Sequence, residues 1–234
     1  MSKGQTIPQL KYEKSNKKEI IWSMVCVIIY ILIKDTALLS KLFSNIESLK
    51  VALFIDLFFD LAILGITILV FKDRIKRDLK LFKENAKAYL KYIFPKFFLY
   101  LLLYFIISII CMKMLPESQK SVNQQTSEFL PTWYLILGVV IIGPILEELI
   151  YRIIPRRFIS NKVIFIVISA IIFGIAHVTY EESIYNAFIH MIPYSVMGGF
   201  FAYIYASTDN LTNNTLCHMF HNMIVVFFML MASN

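Results

Sequence analysis

The sequence predicts an all-α fold, a polytopic bundle of about seven transmembrane helices. Three observations predict it. Of the 234 residues, 58% are apolar and only 17% are charged, where an ordinary soluble domain carries roughly a quarter of charged residues. Mean hydropathy is +0.67. The apolar residues also fall into long blocks, with the charges confined to the gaps between them. A soluble globule, a collagen-like chain and a disordered chain are all excluded by this pattern.

A helix crosses the hydrocarbon with about 20 largely apolar residues, fewer where flanking lysines and aromatics reach outward. The candidate spans, in order, are Ile20–Ile33 (short, with an extension toward Leu39 available), Val51–Phe71, Phe97–Met114, Trp133–Tyr151, Val163–Val178, Tyr185–Tyr205 and Asn214–Met231. Residues 1–19 are too polar for a signal peptide, and no small-residue cleavage site follows the first block. They read as a basic cytoplasmic tail, followed by N-terminal transmembrane helices over 20–132 and a second helix bundle over 133–234. No internal repeat or low-complexity tract interrupts this order.

The net charge of +7 is explained by where the charges lie. The tail, the connector 72–96 and the segment 152–162 together hold 18 of the 23 Lys and Arg residues. These are alternate gaps, so the positive-inside rule puts the N-terminus in the cytoplasm of a multi-pass cell-membrane protein. The connector sets Ile75, Leu79, Leu81, Phe82, Ala86, Tyr89, Leu90 and Ile93 among its lysines at near-helical spacing. That predicts an amphipathic interfacial helix near 72–94, with a solvated basic connector as the alternative. Either accounts for the charge without nucleic acid as a partner. Cys26, Cys111 and Cys217 lie inside apolar blocks at scattered spacing, which suits small buried hydrophobes and no disulfide framework.

Ionisable groups at membrane depth are costly and therefore carry functional hypotheses. The strongest sit in the fourth block, where Glu147 and Glu148 precede Arg152. Glu148 and Arg152 are i,i+4 and share a helix face as a satisfied ion pair. Glu147, turned about 100° away, is left for another partner. Pro144 predicts a kink beside them. The fifth block places His177 on the face of Phe173, and the seventh places His218 and Asn222 at i,i+4, with His221 close enough around the helix to stand in for His218. Two such donors can hold an anionic oxygen. Asp56 and Asp60, also i,i+4, read best as structurally paired groups; a proton-coupled transporter would use them instead. His190, before Pro193, is a weaker case of the same kind.

The three motifs Glu147-Glu148-x-x-x-Arg152, Phe173-x-x-x-His177 and His218-x-x-x-Asn222, ordered on three separate spans, resemble the CAAX prenyl endopeptidase type II family, also called CPBP or Abi. Gly198-Gly199 and Asn210-Leu211 are similar to the family pattern as well, so the resemblance runs from about Trp133 to the C-terminus. It implies that 133–234 is a catalytic helix bundle. Glu147 would be the general base that activates water, His177 a holder of that water, and His218 with Asn222 the oxyanion site. Glu148, Arg152 and Phe173 would be supporting residues. General-base catalysis contributes about 10²–10⁴ in rate, and one oxyanion donor about 10²–10³.

The implied activity is an intramembrane endopeptidase acting on a peptide or small membrane-associated protein. The alternative is a non-catalytic immunity or regulatory protein of the same family that binds a peptide or sensor partner. The implied mechanism needs no cofactor. Zinc is the alternative there, with Glu147, His177 and His218 as its ligands, but the His-Glu-x-x-His spacing of zinc proteases is absent. Nothing in the sequence sets an oligomeric state.

Overall fold

The structure is a computed structural model that describes residue 7 and residues 17–34, 48–115 and 120–232. The tail up to residue 16 (residue 7 aside) and the extension of the first span to Leu39 lie outside the described residues. Seven helices make up the rest: α1 (Lys17–Lys34), α2 (Leu49–Met114), α3 (Val122–Glu128), α4 (Thr132–Phe158), α5 (Lys162–Ala176), α6 (Ile184–Thr208) and α7 (Leu211–Ala232). No strand occurs among the described residues.

All seven apolar blocks lie in helices. Four helices, α2, α4, α6 and α7, are long and apolar enough to cross a membrane; α5 and the Ile20–Tyr30 part of α1 are shorter apolar helices. The 66-residue α2 holds two blocks and the basic connector between them. Its backbone leaves helical geometry at Phe71 (φ −106°, ψ 15°) and Asn85 (φ −125°, ψ 19°), so the connector is broken from the preceding span at Phe71 and within itself at Asn85. Its face with Asp78, Ala88, Tyr89 and Ile93 is buried, and α2 packs on α6 and α7.

One end of the bundle is fastened by charge. Asp209, between α6 and α7, adopts a left-handed conformation (φ 45°). It accepts from Arg74 at 2.7 Å and from Arg77 at 3.2 Å. Fully buried Asp78 accepts from Arg74 and from the backbone N–H of Leu211 at 2.8 Å, and Asn210 donates to the Asp78 carbonyl. An α-helix begins with four N–H groups that lack partners, and Asp78 takes one of those of α7. Toward the middle of the bundle Tyr100 stacks on Phe200 at 4.1 Å, and Tyr104 meets His221 edge-on.

At the other end, α3 caps the bundle. It lies in the polar gap between the predicted spans Phe97–Met114 and Trp133–Tyr151. Ser121 forms a capping box with Gln124, which lets a polar seven-residue helix form. Ser121 Oγ also meets Tyr194 Oη at 3.0 Å.

α5 packs chiefly on α6, and two glycines set how closely. A Cβ on Gly198 would lie 2.6 Å from Cβ of Phe173, and one on Gly174 would lie 2.1 Å from Oγ of Ser195. Gly198→Val is therefore expected to destabilise the detergent-solubilised protein by about 1–3 kcal/mol through overpacking. Gly65→Ala, where a Cβ meets nothing within 4 Å, should leave stability unchanged or slightly raised. Equal melting temperatures for the two variants would contradict this account of the α5–α6 contact.

Candidate active site

α4 carries the paired glutamates, and its path is set by two prolines. A proline nitrogen has no hydrogen to donate and its ring crowds the preceding turn. In α4, widened π-helical turns at Leu135–Ile142 and Leu149–Ile153 come just before Pro144 and Pro155. Such turns are frequent at functional sites. Gly143 N–H donates to the Gly138 carbonyl, five residues back. In that register the Val139 carbonyl faces Pro144, which cannot donate; Asn222 Nδ2 donates to it instead at 2.8 Å. Likewise the Tyr151 carbonyl, four residues before Pro155, accepts from Ser169 Oγ at 2.9 Å. The expected kink at Pro144 thus takes the form of a π turn, and its orphaned carbonyl is satisfied by a motif residue.

The turn brings Glu147 between the two imidazoles expected to meet it. Glu147 Oε2 lies 3.9 Å from His177 Nε2 and 3.8 Å from His218 Nε2. This oxygen is buried and has no hydrogen-bond partner. Both distances are too long for a direct hydrogen bond and short enough for one bridging water. The tautomers are fixed from behind. His177 Nδ1 lies 2.8 Å from the Phe173 carbonyl, which can only accept, so Nδ1 carries the hydrogen. His218 Nδ1 lies 2.8 Å from Glu148 Oε1 and donates to that carboxylate. Each ring therefore turns Nε2 toward Glu147.

Glu148 is fully buried, ion-paired with one side chain and hydrogen-bonded by two others. Arg152 Nε lies 2.9 Å away, His218 donates as described, and Asn214 Nδ2 donates to Oε2. The i,i+4 ion pair read from the sequence is present, but it does more than satisfy itself: it holds His218. Arg152 is also fully buried, donates to Ser169 Oγ at 2.6 Å and lies over the Phe173 ring at 5.0 Å. Asn214 and Ser169 escaped the sequence analysis. Their signal was there: Asn214, His218 and Asn222 form one i,i+4,i+8 stripe, and Ser169, Phe173 and His177 another.

Aromatic rings fix the imidazole planes. His177 is stacked between Phe173 (4.3 Å) and Tyr194 (4.7 Å), and His218 stacks on Phe201 at 4.5 Å. From the capping end, Asn123 of α3 donates to the His177 backbone carbonyl at 2.8 Å. His221 does not take the place of His218. Its Nδ1 lies 3.0 Å from Tyr100 Oη.

Glu147, His177, His218, His221 and Asn222 line a cavity of about 810 Å³. Its walls include apolar Leu146, Met197, Val225 and Val226, and Asn123, Thr126 and Glu128 of α3 lie at its rim. Asp60 also lines it, whereas Asp56 accepts from Tyr134 Oη, the structural pairing expected for that residue. His190 lies 3.0 Å from Glu181, which in turn accepts from the Val122 N–H, so this pair fastens α3 and stands apart from the Glu147 cluster. The three cysteines are buried and free. Among the described residues no three His, Cys, Asp or Glu side chains come together closely enough to hold a metal ion.

The motif-bearing region stands out when the chain is compared with known proteins. Residues 129–224 match the family described as type II CAAX prenyl endopeptidase Rce1-like. The chain is 33% identical to the membrane-embedded CAAX protease MroQ of Staphylococcus aureus, over 90% of both chains. Shorter matches are an uncharacterised protein of Mycoplasma capricolum (35% identity) and YdiL of Bacillus subtilis (34% identity). They take in 40% and 41% of this chain but only 27% and 37% of those relatives' own lengths. No solved structure matches. A likeness that runs nearly end to end with a membrane-embedded CAAX protease, in a helical bundle that gathers its own three motifs around one cavity, makes this chain a member of the CAAX protease family.

Proposed function

We propose that this protein is an intramembrane endopeptidase in which Glu147 activates water for direct attack on a peptide bond. One observation carries the reading: a buried carboxylate oxygen without a hydrogen-bond partner, flanked at 3.8 and 3.9 Å by two imidazole nitrogens whose opposite edges are fixed. In this mechanism a water sits against Glu147 Oε2 and His177 Nε2. Glu147 takes its proton as the oxygen bonds to the peptide carbonyl carbon. The carbonyl π electrons move to oxygen, and the oxyanion lies against the second N–H of the Asn222 amide and against His218 in its doubly protonated form, Nδ1–H on Glu148 and Nε2–H on the oxyanion. When the C–N bond breaks, Glu147 returns the proton to the leaving nitrogen. No serine or cysteine nucleophile is required.

The substrate class is a peptide or a small membrane-associated protein. The apolar cavity walls favour a lipid-embedded or amphipathic segment. The excess of Lys and Arg in alternate gaps supports a cytoplasmic N-terminus, which puts α3 and the cavity rim at the outer face. Glu147, His177 and His218 are the set a zinc ion would use in the alternative mechanism. The glutamate mechanism routes no step through a metal.

Three outcomes test it. Purified Glu147→Gln protein should lose cleavage of the physiological peptide by at least about 10²-fold while its melting temperature stays near wild type; undiminished cleavage would end the assignment. A chelator should leave the wild-type rate intact, and a loss restored by added zinc would reassign the three side chains as ligands. Glu148→Ala should differ from Glu147→Gln in kind. It leaves Arg152 buried without its carboxylate, so it should destabilise the fold by about 3–5 kcal/mol as well as abolish cleavage. Normal stability in that variant would show that Glu148 is not the clamp described.

A further inference from the structure

The connector separates its two kinds of basic residue by face. Arg74 and Arg77 turn inward to Asp78 and Asp209. Lys72, Lys76, Lys80, Lys83, Lys87 and Lys91 are all exposed. Before the break at Asn85, at 100° per residue, Lys72, Lys76, Lys80 and Lys83 fall within about 80° of one another with buried Asp78 opposite; after it, Lys87 and Lys91 lie about 40° apart with buried Tyr89 and Ile93 on the opposite side. Exposed Leu79, Leu90 and Phe94 fall on the lysine stripe or beside it. Among the described residues, the ion pair on this row is Glu84 with Lys80 at 3.9 Å.

We infer that this row is a binding surface for the headgroups of anionic phospholipids in the membrane that holds the protein. The charge is complementary, and the position is fitting. The connector leaves one span and enters the next, so its exposed stripe runs at the level where phosphates lie. Lysine stems lie along apolar surface while their ammonium groups reach phosphate, and Leu79, Leu90 and Phe94 meet the acyl boundary between them. Clusters of four to eight basic residues next to a span are the pattern expected of anionic-lipid recognition. The inward arginines add specificity to the arrangement. Their guanidinium groups are spent on the Asp78–Asp209 fastening, so the fold at this end does not depend on the lysines, and the lysines remain available to lipid.

The test uses the full-length protein in phosphatidylcholine nanodiscs doped with phosphatidylglycerol, with bound lipid counted by native mass spectrometry. Wild-type protein should retain phosphatidylglycerol over phosphatidylcholine by about tenfold or more, and the preference should fall as salt rises. The sixfold Lys→Gln variant should lose the preference, and the sixfold Lys→Arg variant should keep it. Equal retention of both lipids by wild-type protein, at any salt, overturns the inference without need of the variants. So does a preference that survives in the Lys→Gln protein, or a wild-type protein that captures a soluble poly-glutamate peptide while ignoring phosphatidylglycerol.

Discussion

The bundle depends on a charge that cannot be left alone. Glu148 and Arg152 are both fully buried, and removing either would strand the other at a cost of several kcal/mol. Three helices meet the requirement together. α4 supplies both ions, α5 brings Ser169 and the Phe173 ring to Arg152, and α7 brings Asn214 and His218 to Glu148. Any sliding of α5 or α7 along α4 by a single turn would break these contacts at once. The ion pair thus fixes the register of the helices that carry the site, and the registry use of a buried pair is its best-attested role.

The same clamp separates two neighbouring carboxylates that differ by nothing in covalent structure. Glu148 spends both oxygens on donors. Glu147, one residue earlier and about 100° around the helix, keeps an oxygen without a donor inside the cavity. A group that is to receive a proton must have a lone pair free of hydrogen bonds from the protein. The local geometry of α4 is what permits this. Its π turns take up the crowding of Pro144 and Pro155, and the carbonyls those prolines leave without N–H partners are bonded by Asn222 and Ser169. A helix flaw becomes an attachment point for α7 on one side and α5 on the other.

Much of this was legible in the sequence because it is written in short-range spacing. The i,i+4 rule paired Glu148 with Arg152 and set Glu147 apart, and hydropathy blocks located every helix that bears the site. What spacing does not contain is the partner across the bundle. His218 and Asn222 share a face, as expected, yet Asn222 has one N–H on Val139 and His218 is held by Glu148, contacts that join residues 83 and 70 positions apart. The α3 cap was illegible for another reason. Seven polar residues between spans carry no periodic apolar signal, and only the capping box of Ser121 and Gln124 hints at a helix. The break at Asn85 was hidden too, inside a lysine run that reads as continuous helix.

Depth along the membrane also settles a discrepancy that counting rise per residue raises. From the segment joining them, Glu147 lies about 15 Å up α4 and His177 about 22 Å up α5, yet the two side chains come within 3.9 Å. A glutamate side chain and an imidazole span several ångströms between their backbones. α5 itself ends at Ala176, about 22 Å long against a hydrocarbon thickness of about 30 Å. Its last carbonyls therefore end short of the far surface; the His177 ring bonds the Phe173 carbonyl, and Asn123 bonds the carbonyl of His177 just past the helix end. A helix too short for the bilayer is what allows a capping helix, a histidine and a polar cavity to occupy membrane depth without leaving backbone groups unsatisfied.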